Sequence, residues 1–339
     1  MIKETVTLSQ GSGGKAMQEL IQEVFLKEFT HPALAALTDA AMVPLPSWRE
    51  YRLGFTTDSY VVKPLFFPGG DIGKLACCGT INDLAVSGAR PLFLACSFIL
   101  EEGLSLEVLK RIVHSVKTIS EKTGVPVVTG DTKVVEKGKV DGVFVTTTGV
   151  GIISEKVRLD RKNIQPGDRI IVSGPLGEHE MAVLLARGDF QLEAKIVSDC
   201  APLHSLTAEV LKVEPHTRFM RDPTRGGLAA VLNEIVAGLK FGILLKEEEI
   251  PLKKEVAALC EILGLDPMWL ASEGRLVAVV AEQSCSKVIS CMKKHRLGRQ
   301  ARVIGEVIEE EPGRVVMKTI SGSTRLVDMP SGVQRPRIC

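Results

Sequence analysis

The stretch Val125-Pro-Val-Val-Thr-Gly-Asp-Thr-Lys133 decides the fold that the sequence predicts. Its apolar, β-branched beginning is typical of a buried strand, and its Gly-Asp-Thr-Lys end predicts a loop directly after that strand. An aspartate and a lysine just past a strand lie where α/β folds place their ligand crevices. We therefore expect an α/β domain with a ligand site beside Asp131, Thr132 and Lys133.

Strands and helices are predicted on both sides of this stretch. The predicted strands are 53–58, 92–100, 143–153, 169–174, 276–281 and 301–308, and the predicted helices are 16–29, 72–86, 104–122, 175–187, 208–213, 228–239, 253–263 and 286–294. A chain of 339 residues is too long for one ordinary core, so we expect two α/β domains. The predicted division is an N-terminal arm with a glycine-rich loop and helix over 1–40, a first domain over 41–155, a second domain over 156–325 and a flexible tail over 326–339.

The composition argues against several classes of protein. Lysine and arginine (42) nearly balance aspartate and glutamate (41), so a net charge of +1 favours neither nucleic acid nor an anionic membrane as a partner. No apolar run approaches the 18 or so residues of a membrane helix, and the first residues lack the apolar core of a signal peptide. Eight scattered cysteines without a Cys-x-x-Cys pair favour the reducing cytoplasm over a disulfide framework or a structural zinc site.

Two glycine-rich segments precede predicted helices and are candidates for binding phosphate. One contains Gly11, Ser12, Gly13 and Gly14, and the other contains Thr224, Arg225, Gly226 and Gly227. Free backbone N–H groups at a helix start bind anions. The first segment is not a Walker A loop, because Ser9 and Ala16 replace its first glycine and its hydroxyl residue. It either holds phosphate or belongs to a mobile arm.

Four aspartates form a candidate metal site. Asp58, Asp83, Asp131 and Asp222 each lie at a predicted strand end or helix start, or inside an apolar helix, within two residues of Thr, Asn or Gly. Oxygen ligands without clustered His or Cys suit Mg²⁺. Magnesium beside glycine-lined anion sites indicates a nucleoside triphosphate. Each aspartate taken alone can also be explained as a helix cap or a turn residue.

The last ten residues, Pro330-Ser-Gly-Val-Gln-Arg-Pro-Arg-Ile-Cys339, contain two prolines and end in a cysteine. They have no apolar periodicity, and prolines keep such a segment extended, with a reach of about 33 Å. A thiol at the end of a stiff arm can carry a one-carbon group between its own site and a partner. The alternative is an ordinary loose chain end.

Several motifs together resemble the hydrogenase-maturation carbamoyl dehydratase (HypE) family, within the superfamily of aminoimidazole-ribonucleotide (AIR) synthetase, selenophosphate synthetase and thiamine-phosphate kinase. They are Gly11-Ser-Gly-Gly, Thr57-Asp-Ser-Tyr, Phe66-Phe-Pro-Gly-Gly, Gly73-Lys-Leu, Asn82-Asp83, Val86-Ser-Gly, Phe98-Ile-Leu-Glu-Glu-Gly, Gly130-Asp-Thr-Lys, Asp222-Pro-Thr-Arg-Gly-Gly, Glu273-Gly and the terminal Pro336-Arg-Ile-Cys. The resemblance covers essentially the whole chain. Two positions depart from it: Gln10 stands where many relatives have histidine, and Arg275 where lysine is common.

The resemblance implies a two-domain PurM-like, AIR-synthetase-like α/β fold with a homodimer interface on the N-terminal sheet. It implies that the carbamoyltransferase HypF places a carbamoyl group on Cys339. ATP with Mg²⁺ then dehydrates the S-carboxamide to an S-thiocyanate, which supplies the cyanide ligands of the nickel–iron hydrogenase iron through a HypC–HypD scaffold complex. Glu273 is the expected base, Lys133 is expected beside the reacting oxygen or phosphate, and Lys74 and Thr132 are expected among the phosphate contacts.

Two other interpretations remain open on the sequence. The first is another ATP-dependent synthetase of the same superfamily, similar to selenophosphate synthetase. That enzyme carries Cys or selenocysteine in its N-terminal glycine loop, and none lies within residues 11–15. The second is a non-catalytic thiol carrier or scaffold that uses Cys339 alone. It would leave the four aspartates unexplained.

Overall fold

The structure is a computed structural model that describes residues 5–7, 19–31, 50–188, 190, 192 and 194–329. The predicted glycine loop at Gly11–Gly14 and the terminal Cys339 lie outside these residues. Within the described part of the chain, no helix combines the length and apolarity needed to cross a membrane.

The N-terminal half is built on a four-stranded sheet. After a helical segment (Ile21–Phe25 and Leu26–Glu28), its elements are β1 (Tyr51–Tyr60), β2 (Phe66–Phe67), β3 (Gly70–Asp71), α1 (Ile72–Val86), β4 (Arg90–Glu101), α2 (Leu106–Thr123), β5 (Val127–Val135) and β6 (Val143–Ser154). The sheet order is β1-β6-β4-β5, in which β4 and β5 are parallel and the other neighbours are antiparallel. β2 and β3 form a separate short hairpin.

The two helices of this half cover one face of the sheet for different local reasons. α1 starts at Asp71, whose carboxylate accepts from the N–H groups of Gly73 (2.8 Å) and Lys74 (3.1 Å), and nearly all of its residues are buried. α2 is amphipathic, starts at the cap residue Ser105 and ends at Gly124 in the left-handed conformation. α1 lies between the sheet and α2, so it forms the centre of the N-terminal core.

The prediction of a loop at Gly130-Asp-Thr-Lys133 is wrong, because these four residues lie inside β5. Asp131 pairs with Ser97 of β4, and Lys133 pairs with Ile99. Most neighbours in this sheet are antiparallel, so the rule that places ligands at the carboxyl ends of parallel strands does not govern it.

The C-terminal half contains a seven-stranded sheet. Its elements are β7 (Arg169–Val172), α3 (Glu178–Arg187), α4 (His204–Val213), β8 (Phe219–Arg221), α5 (Gly227–Val236), β9 (Gly242–Lys246), α6 (Lys254–Leu263), β10 (Val277–Val280), α7 (Glu282–Lys294), β11 (Arg302–Ile308), β12 (Val315–Lys318) and β13 (Thr324–Leu326). The sheet order is β13-β12-β9-β11-β7-β10-β8, and only β12 and β9 are parallel neighbours. The two sheets are separated in sequence by residues 155–168, where the predicted domain boundary falls.

Both faces of the second sheet are covered. Along β7, Ile170 and Val172 face a core formed with α5, whereas Ile171 faces a core formed with α4 and α7. The sequence did not predict β8, β9, β12 or β13. Each has five residues or fewer, which is too short for a clear alternating pattern.

The N-terminal sheet has one face that the described residues leave uncovered. Phe55 is 68% exposed, Leu53 47% and Ile99 37%, and all three lie on the face opposite α1. A row of Ser59, Thr146, Ser97 and Asp131 crosses the same face. An apolar sheet face of this kind is typical of a protein–protein contact.

Candidate functional site

A narrow acidic cleft lies between the two halves. Its volume is about 40 Å³, and its lining includes three aspartates and one glutamate: Asp58, Asp83, Asp222 and Glu273. Tyr60, Gly79, Thr224 and Arg225 complete most of the wall. The space accommodates an ion or a single oxyanion group rather than a whole nucleotide.

The N-terminal half contributes Asp58 from β1 and Asp83 from the last turns of α1. Tyr60 donates its hydroxyl to Asp58 Oδ2 at 3.1 Å, and Thr56 donates to Asp83 Oδ2 at 2.9 Å. Thr56, Asp58 and Tyr60 share a face of β1 because side chains alternate along a strand. A Cβ at Gly79 would lie 2.1 Å from the Tyr60 hydroxyl oxygen, so only glycine leaves room for this tyrosine.

The C-terminal half contributes Asp222 and Glu273 from two adjacent loops. The Ser272 N–H donates to the carbonyl of Pro223 at 2.8 Å, which joins the two loops. The Glu273 N–H donates to Asp199 Oδ1 at 3.0 Å. Glu273 itself is only 3% exposed. The two loops therefore hold their carboxyl groups in fixed, largely dry positions.

Burial gives these carboxyl groups unusual proton affinity. Burial raises the pKa of Asp222 to about 7, and the negative charges of Asp83 and Asp58 add to this shift. Burial, with the nearby groups of Cys200 and Asp222, raises the pKa of Glu273 well above its usual value. The pKa of Asp83 is raised chiefly by burial, although the hydrogen bond from Thr56 opposes the shift. Such a cleft attracts a cation or holds protons.

A buried amide fixes the distance between the two sides of the cleft. Asn82, next to Asp83 in α1, is fully buried. Its Nδ2 donates to the carbonyls of Glu273 (3.1 Å) and Ala201 (3.2 Å), and its Oδ1 accepts from the Leu203 N–H at 2.7 Å. Three hydrogen bonds from one side chain of the first half thus hold backbone of the second half.

The start of α5 forms one edge of the cleft. Gly226 and Gly227 both have positive φ, and a Cβ at Gly227 would lie 2.6 Å from the carbonyl oxygen of Met268. Among the described residues no side chain caps this helix, and the Gly227 N–H donates to the Thr224 carbonyl at 2.9 Å. Thr224 and Arg225 lie directly before it and line the cleft.

Comparison with known proteins identifies the family. A family model for the N-terminal domain of AIR synthase related proteins matches residues 37–153, and the model for the C-terminal domain matches residues 165–318. The carbamoyl dehydratase HypE of Rhodobacter capsulatus is 51% identical over 339 residues, covering 99% of this chain and 98% of that protein. The chain belongs to the HypE family.

Solved structures of HypE proteins share the fold. The crystal structure of hydrogenase maturation protein HypE in complex with ATP superposes with a TM-score of 0.93 at 41% identity, covering 99% of this chain and all of that chain. The structure of a HypE–HypF complex matches with a TM-score of 0.79 at 45% identity, covering 92% and 99% of the two chains. The predictions of the HypE family and of a two-domain PurM-like α/β fold are therefore confirmed.

The structure brings together only part of the site that resemblance to the HypE family predicted. Asp58, Asp83, Asp222, Glu273, Thr224 and Arg225 line one cleft. Asp131 lies on the opposite sheet face and three strands away from Asp58, about 14 Å across the sheet. No three His, Cys, Asp or Glu side chains among the described residues are arranged to hold a metal ion.

Three further residues expected from the HypE motifs lie outside the acidic cleft. Lys133 shares the uncovered sheet face with Asp131, and Thr132 is buried beside Phe98. Lys74 is at the first turn of α1, about 13 Å along the helix from Asp83, and it lines a different cleft.

Sequence reasoning missed several residues that shape the cleft. Tyr60 follows Asp58 by two positions, so alternation along β1 was the signal that would have found it. Asp199 and the three contacts of Asn82 had no such signal, because tertiary packing alone brings their partners together.

Proposed function

We propose that this protein is an ATP-dependent carbamoyl dehydratase that acts on its own C-terminal cysteine. An S-carboxamide on Cys339 would react with ATP to give an S-thiocyanate, ADP and phosphate, and the nitrile would supply the cyanide ligands of a nickel–iron hydrogenase. The observation that supports this most strongly is the acidic cleft of Asp58, Asp83, Asp222 and Glu273 in a chain that matches HypE proteins from end to end.

The chemistry requires transfer of the γ-phosphoryl group to the amide oxygen and then loss of that oxygen as phosphate. The carboxamide nitrogen must give up both of its protons before the C≡N bond is complete. Glu273 is buried and its pKa is raised, so its carboxylate is more basic than an ordinary glutamate and is suited to accept such a proton. The dry surroundings protect the phosphorylated amide from water.

The residues of the cleft fit Mg²⁺ that is shared with nucleotide phosphates. Magnesium is usually held by one or two carboxylates, with substrate phosphates and water as its other ligands. Asp83 and Asp222 are buried carboxyls with raised pKa values, and Asp58 lies beside them. When bound, the ion would neutralise charge on the transferring phosphoryl group. Thr224 and Arg225, directly before α5, would hold phosphate oxygens.

The C-terminal arm starts close enough to the cleft to deliver its thiol. The carbonyl of Val327 accepts from Asn233 Nδ2 in α5 at 2.8 Å, and the carbonyl of Asp328 accepts from Trp269 Nε1 at 3.1 Å. The backbone of Trp269 lies against Gly227 at the start of α5. The arm therefore begins beside a helix of ten residues, about 15 Å long, and Thr224 and Arg225, directly before this helix, line the cleft. The reach of about 33 Å exceeds that distance.

A homodimer would account for the predicted site residues that the acidic cleft lacks. The uncovered sheet face carries Phe55, Leu53 and Ile99 together with Asp131 and Lys133. β1 and β5 are the two edges of this sheet. A two-fold copy that places its β5 opposite this chain's β1 would bring a second Asp131 and Lys133 to the cleft. Gly11–Gly14 would add phosphate contacts.

The partners of the reaction follow from the same chemistry. A carbamoyltransferase of the HypF type would load Cys339, and a HypC–HypD iron complex would receive the cyano group. A structure of a HypE–HypF complex is known, which supports the first of these contacts for the present chain.

Mass spectrometry of the C-terminal peptide tests the proposal directly. After incubation with ATP, Mg²⁺ and a carbamoyl donor system, we expect the modified Cys339 to lose one water relative to the carboxamide. Cys339→Ala should show neither adduct while still binding ATP. A carboxamide that persists in the presence of hydrolysed ATP, or a cyano group formed by Cys339→Ala, would contradict the proposal.

A further inference from the structure

A second cleft, on the other side of the Glu273 loop, is rich in basic side chains. Its volume is about 530 Å³, and it is lined by residues of both halves. Five of them are basic: Lys74, Lys253, Arg275, Arg296 and Arg299. Only two acidic residues, Glu178 and Asp199, lie among the same lining residues. A chain with a net charge of +1 thus concentrates about three positive charges in one concave region.

The two acids are already paired within the cleft. Glu178 forms ion pairs with both Arg275 and Lys253. Asp199 Oδ2 lies 3.4 Å from Arg275 Nε, and its Oδ1 accepts from the Glu273 N–H. Arg275 is only 13% exposed, and its Nε also donates to the Pro175 carbonyl at 2.6 Å. Arg275 is therefore held rigidly, with its charge balanced by acids beneath it.

The other three basic residues pair with no carboxylate in the part of the chain that the structure describes. Lys74 Nζ donates to the carbonyl of Gly69 at 2.5 Å, and within the described ranges neither Lys74, Arg296 nor Arg299 has an acidic group within ion-pair distance. Lys74 comes from α1 of the first half, whereas the two arginines follow α7 of the second half. Charges that converge from separate elements on one space repel one another unless an anion lies between them.

We propose that this basic cleft binds a phosphoryl oxyanion, either orthophosphate or the phosphate group of a monoester. A phosphate near neutral pH carries up to two negative charges, which matches the uncompensated charge of Lys74, Arg296 and Arg299 better than one carboxylate does. Arginine guanidinium groups also offer paired N–H donors whose spacing fits phosphate oxygens. The cleft is unsuited to the C-terminal arm, because Arg335 and Arg337 would add two further positive charges.

This site is separate from the acidic cleft and goes beyond the proposed dehydration. The loop containing Ser272 and Glu273 lies between the two clefts, and Asn82 fastens this loop to α1. Arg296 and Arg299 line the basic cleft alone, and Asp83 and Asp222 line the acidic cleft alone. Lys74 would then contact the phosphate in the basic cleft instead of the ATP phosphates that the resemblance to HypE suggested.

Equilibrium dialysis of the full-length protein with radiolabelled orthophosphate tests the proposal, with ATP absent and EDTA present. We expect saturable binding of one phosphate per chain that weakens with added salt. The double variant Arg296→Ala/Arg299→Ala should bind phosphate about a hundredfold more weakly, since each charge-assisted contact contributes about a factor of ten. The same variant should bind Mg-ATP with unchanged affinity.

A matched variant separates a specific site from general charge. Arg302→Ala/Arg314→Ala removes two arginines of the same half that pair with Glu249 and Glu311 outside the cleft. It should bind phosphate like the wild type. Equal losses in both double variants, or no loss in Arg296→Ala/Arg299→Ala, would overturn the proposal.

Two further measurements identify the anion and its position. Unlabelled glycerol phosphate and unlabelled orthophosphate are compared as competitors of the radiolabelled phosphate. If glycerol phosphate displaces the label at the lower concentration, the site is assigned to a monoester. If orthophosphate does so, the site is assigned to free phosphate. Asp222→Asn should keep phosphate binding even if it loses ATP turnover. Loss of phosphate binding in Asp222→Asn would place the anion in the acidic cleft and refute the second site, whereas failed dehydration with intact phosphate binding would count against the proposed function alone.

Discussion

The burial of Asp222 raises its proton affinity and favours the binding of a cation beside it. Its carboxyl group is almost completely buried beside Asp83 and Asp58, and its pKa is raised to about 7. An acid whose pKa is higher in the folded state than in the unfolded state stabilises the fold fully at low pH, below the usual value near 4. That contribution is lost as the pH rises through 7, because the folded protein must then bury a negative charge.

We predict that Asp222→Asn stabilises the protein at alkaline pH when Mg²⁺ and nucleotide are removed. The gain should be near zero at pH 4 and reach about 1–4 kcal/mol at pH 8, because one pKa unit corresponds to about 1.4 kcal/mol. Urea unfolding in EDTA at several pH values measures it, with the exposed Asp141→Asn as a control. With Mg-ATP added, the wild type should become more stable than Asp222→Asn, because the ligand should stabilise only the wild type. A gain that does not depend on pH would contradict the burial of a charge as its cause.

We predict that Glu273→Gln separates ATP binding from dehydration. Glutamine preserves the shape of the side chain but cannot accept a proton, so the S-carboxamide on Cys339 should accumulate while Mg-ATP still binds. Intact-mass analysis after carbamoylation distinguishes the two adducts by one water. Dehydration at the wild-type rate would remove Glu273 from the mechanism.

Among the elements, α1 has the largest number of roles. Asp71 caps its first turn, Lys74 reaches the basic cleft, and Asp83 lines the acidic cleft. Between them, Asn82 holds the backbone of Glu273, Ala201 and Leu203. A rotation of α1 would therefore change both clefts at once.

We predict that Asn82→Leu destabilises the protein by about 3 kcal/mol or more, since three buried backbone groups lose their hydrogen-bond partners. In the folded fraction, kcat should fall more than the affinity for ATP, because the Glu273 loop is no longer held against Asp83. Chemical unfolding and ATP titration measure the two effects. Asn163→Ala, which removes a hydrogen bond to the exposed Arg158 carbonyl, serves as the control and should change neither property strongly. An equal loss of kcat and ATP affinity would mean that Asn82 has only a structural role.

The sequence identified long elements well and short ones poorly. A long apolar run located α1, and helical periodicity ending at Gly124 located α2, because both patterns extend over fifteen or more residues. The Gly-Asp-Thr-Lys segment contains residues typical of a loop, yet pairing with β4 keeps it extended within β5. Asp58, Asp83, Asp222 and Glu273 were recognised from motifs. The sheet face on which Asp131 lies depends on register, which local pattern does not determine.

At the scale of the whole molecule, the uncovered face of the N-terminal sheet is the main unexplained surface of the single chain. Phe55, on the edge strand β1, has most of its side chain exposed on this face. Covering this face with a second copy would bury apolar surface from both chains and would bring another Asp131 near each acidic cleft.

We predict that Phe55→Glu converts a dimer to a monomer, because each copy would bury a negative charge in the apolar contact between the two sheets. Light scattering after size exclusion measures the mass. Ile262→Glu, at an exposed apolar residue of the other half, should leave the mass unchanged. A wild type that is monomeric at working concentration would refute the dimer.

Mixing two inactive variants tests whether the partner completes the site. Asp131→Asn and Asp222→Asn should each be inactive alone. After exchange of subunits, we expect about one quarter of the wild-type activity, since half of the dimers are mixed and each has one complete site of two. No recovery after verified exchange would show that Asp131 does not act across the interface.

In the proposed reaction the covalent attachment of the arm would set the kinetic order, and the arm begins at the hydrogen bond from Trp269 Nε1 to the Asp328 carbonyl. It fixes the point from which about ten residues extend, and a chain of this length keeps its end at an effective concentration in the millimolar range around that point. In that reaction the thiol would meet the cleft as a tethered substrate, and turnover per molecule should not change on dilution as long as the proposed dimer persists. A free peptide with the same last ten residues would have to be supplied at millimolar concentration to compete with it.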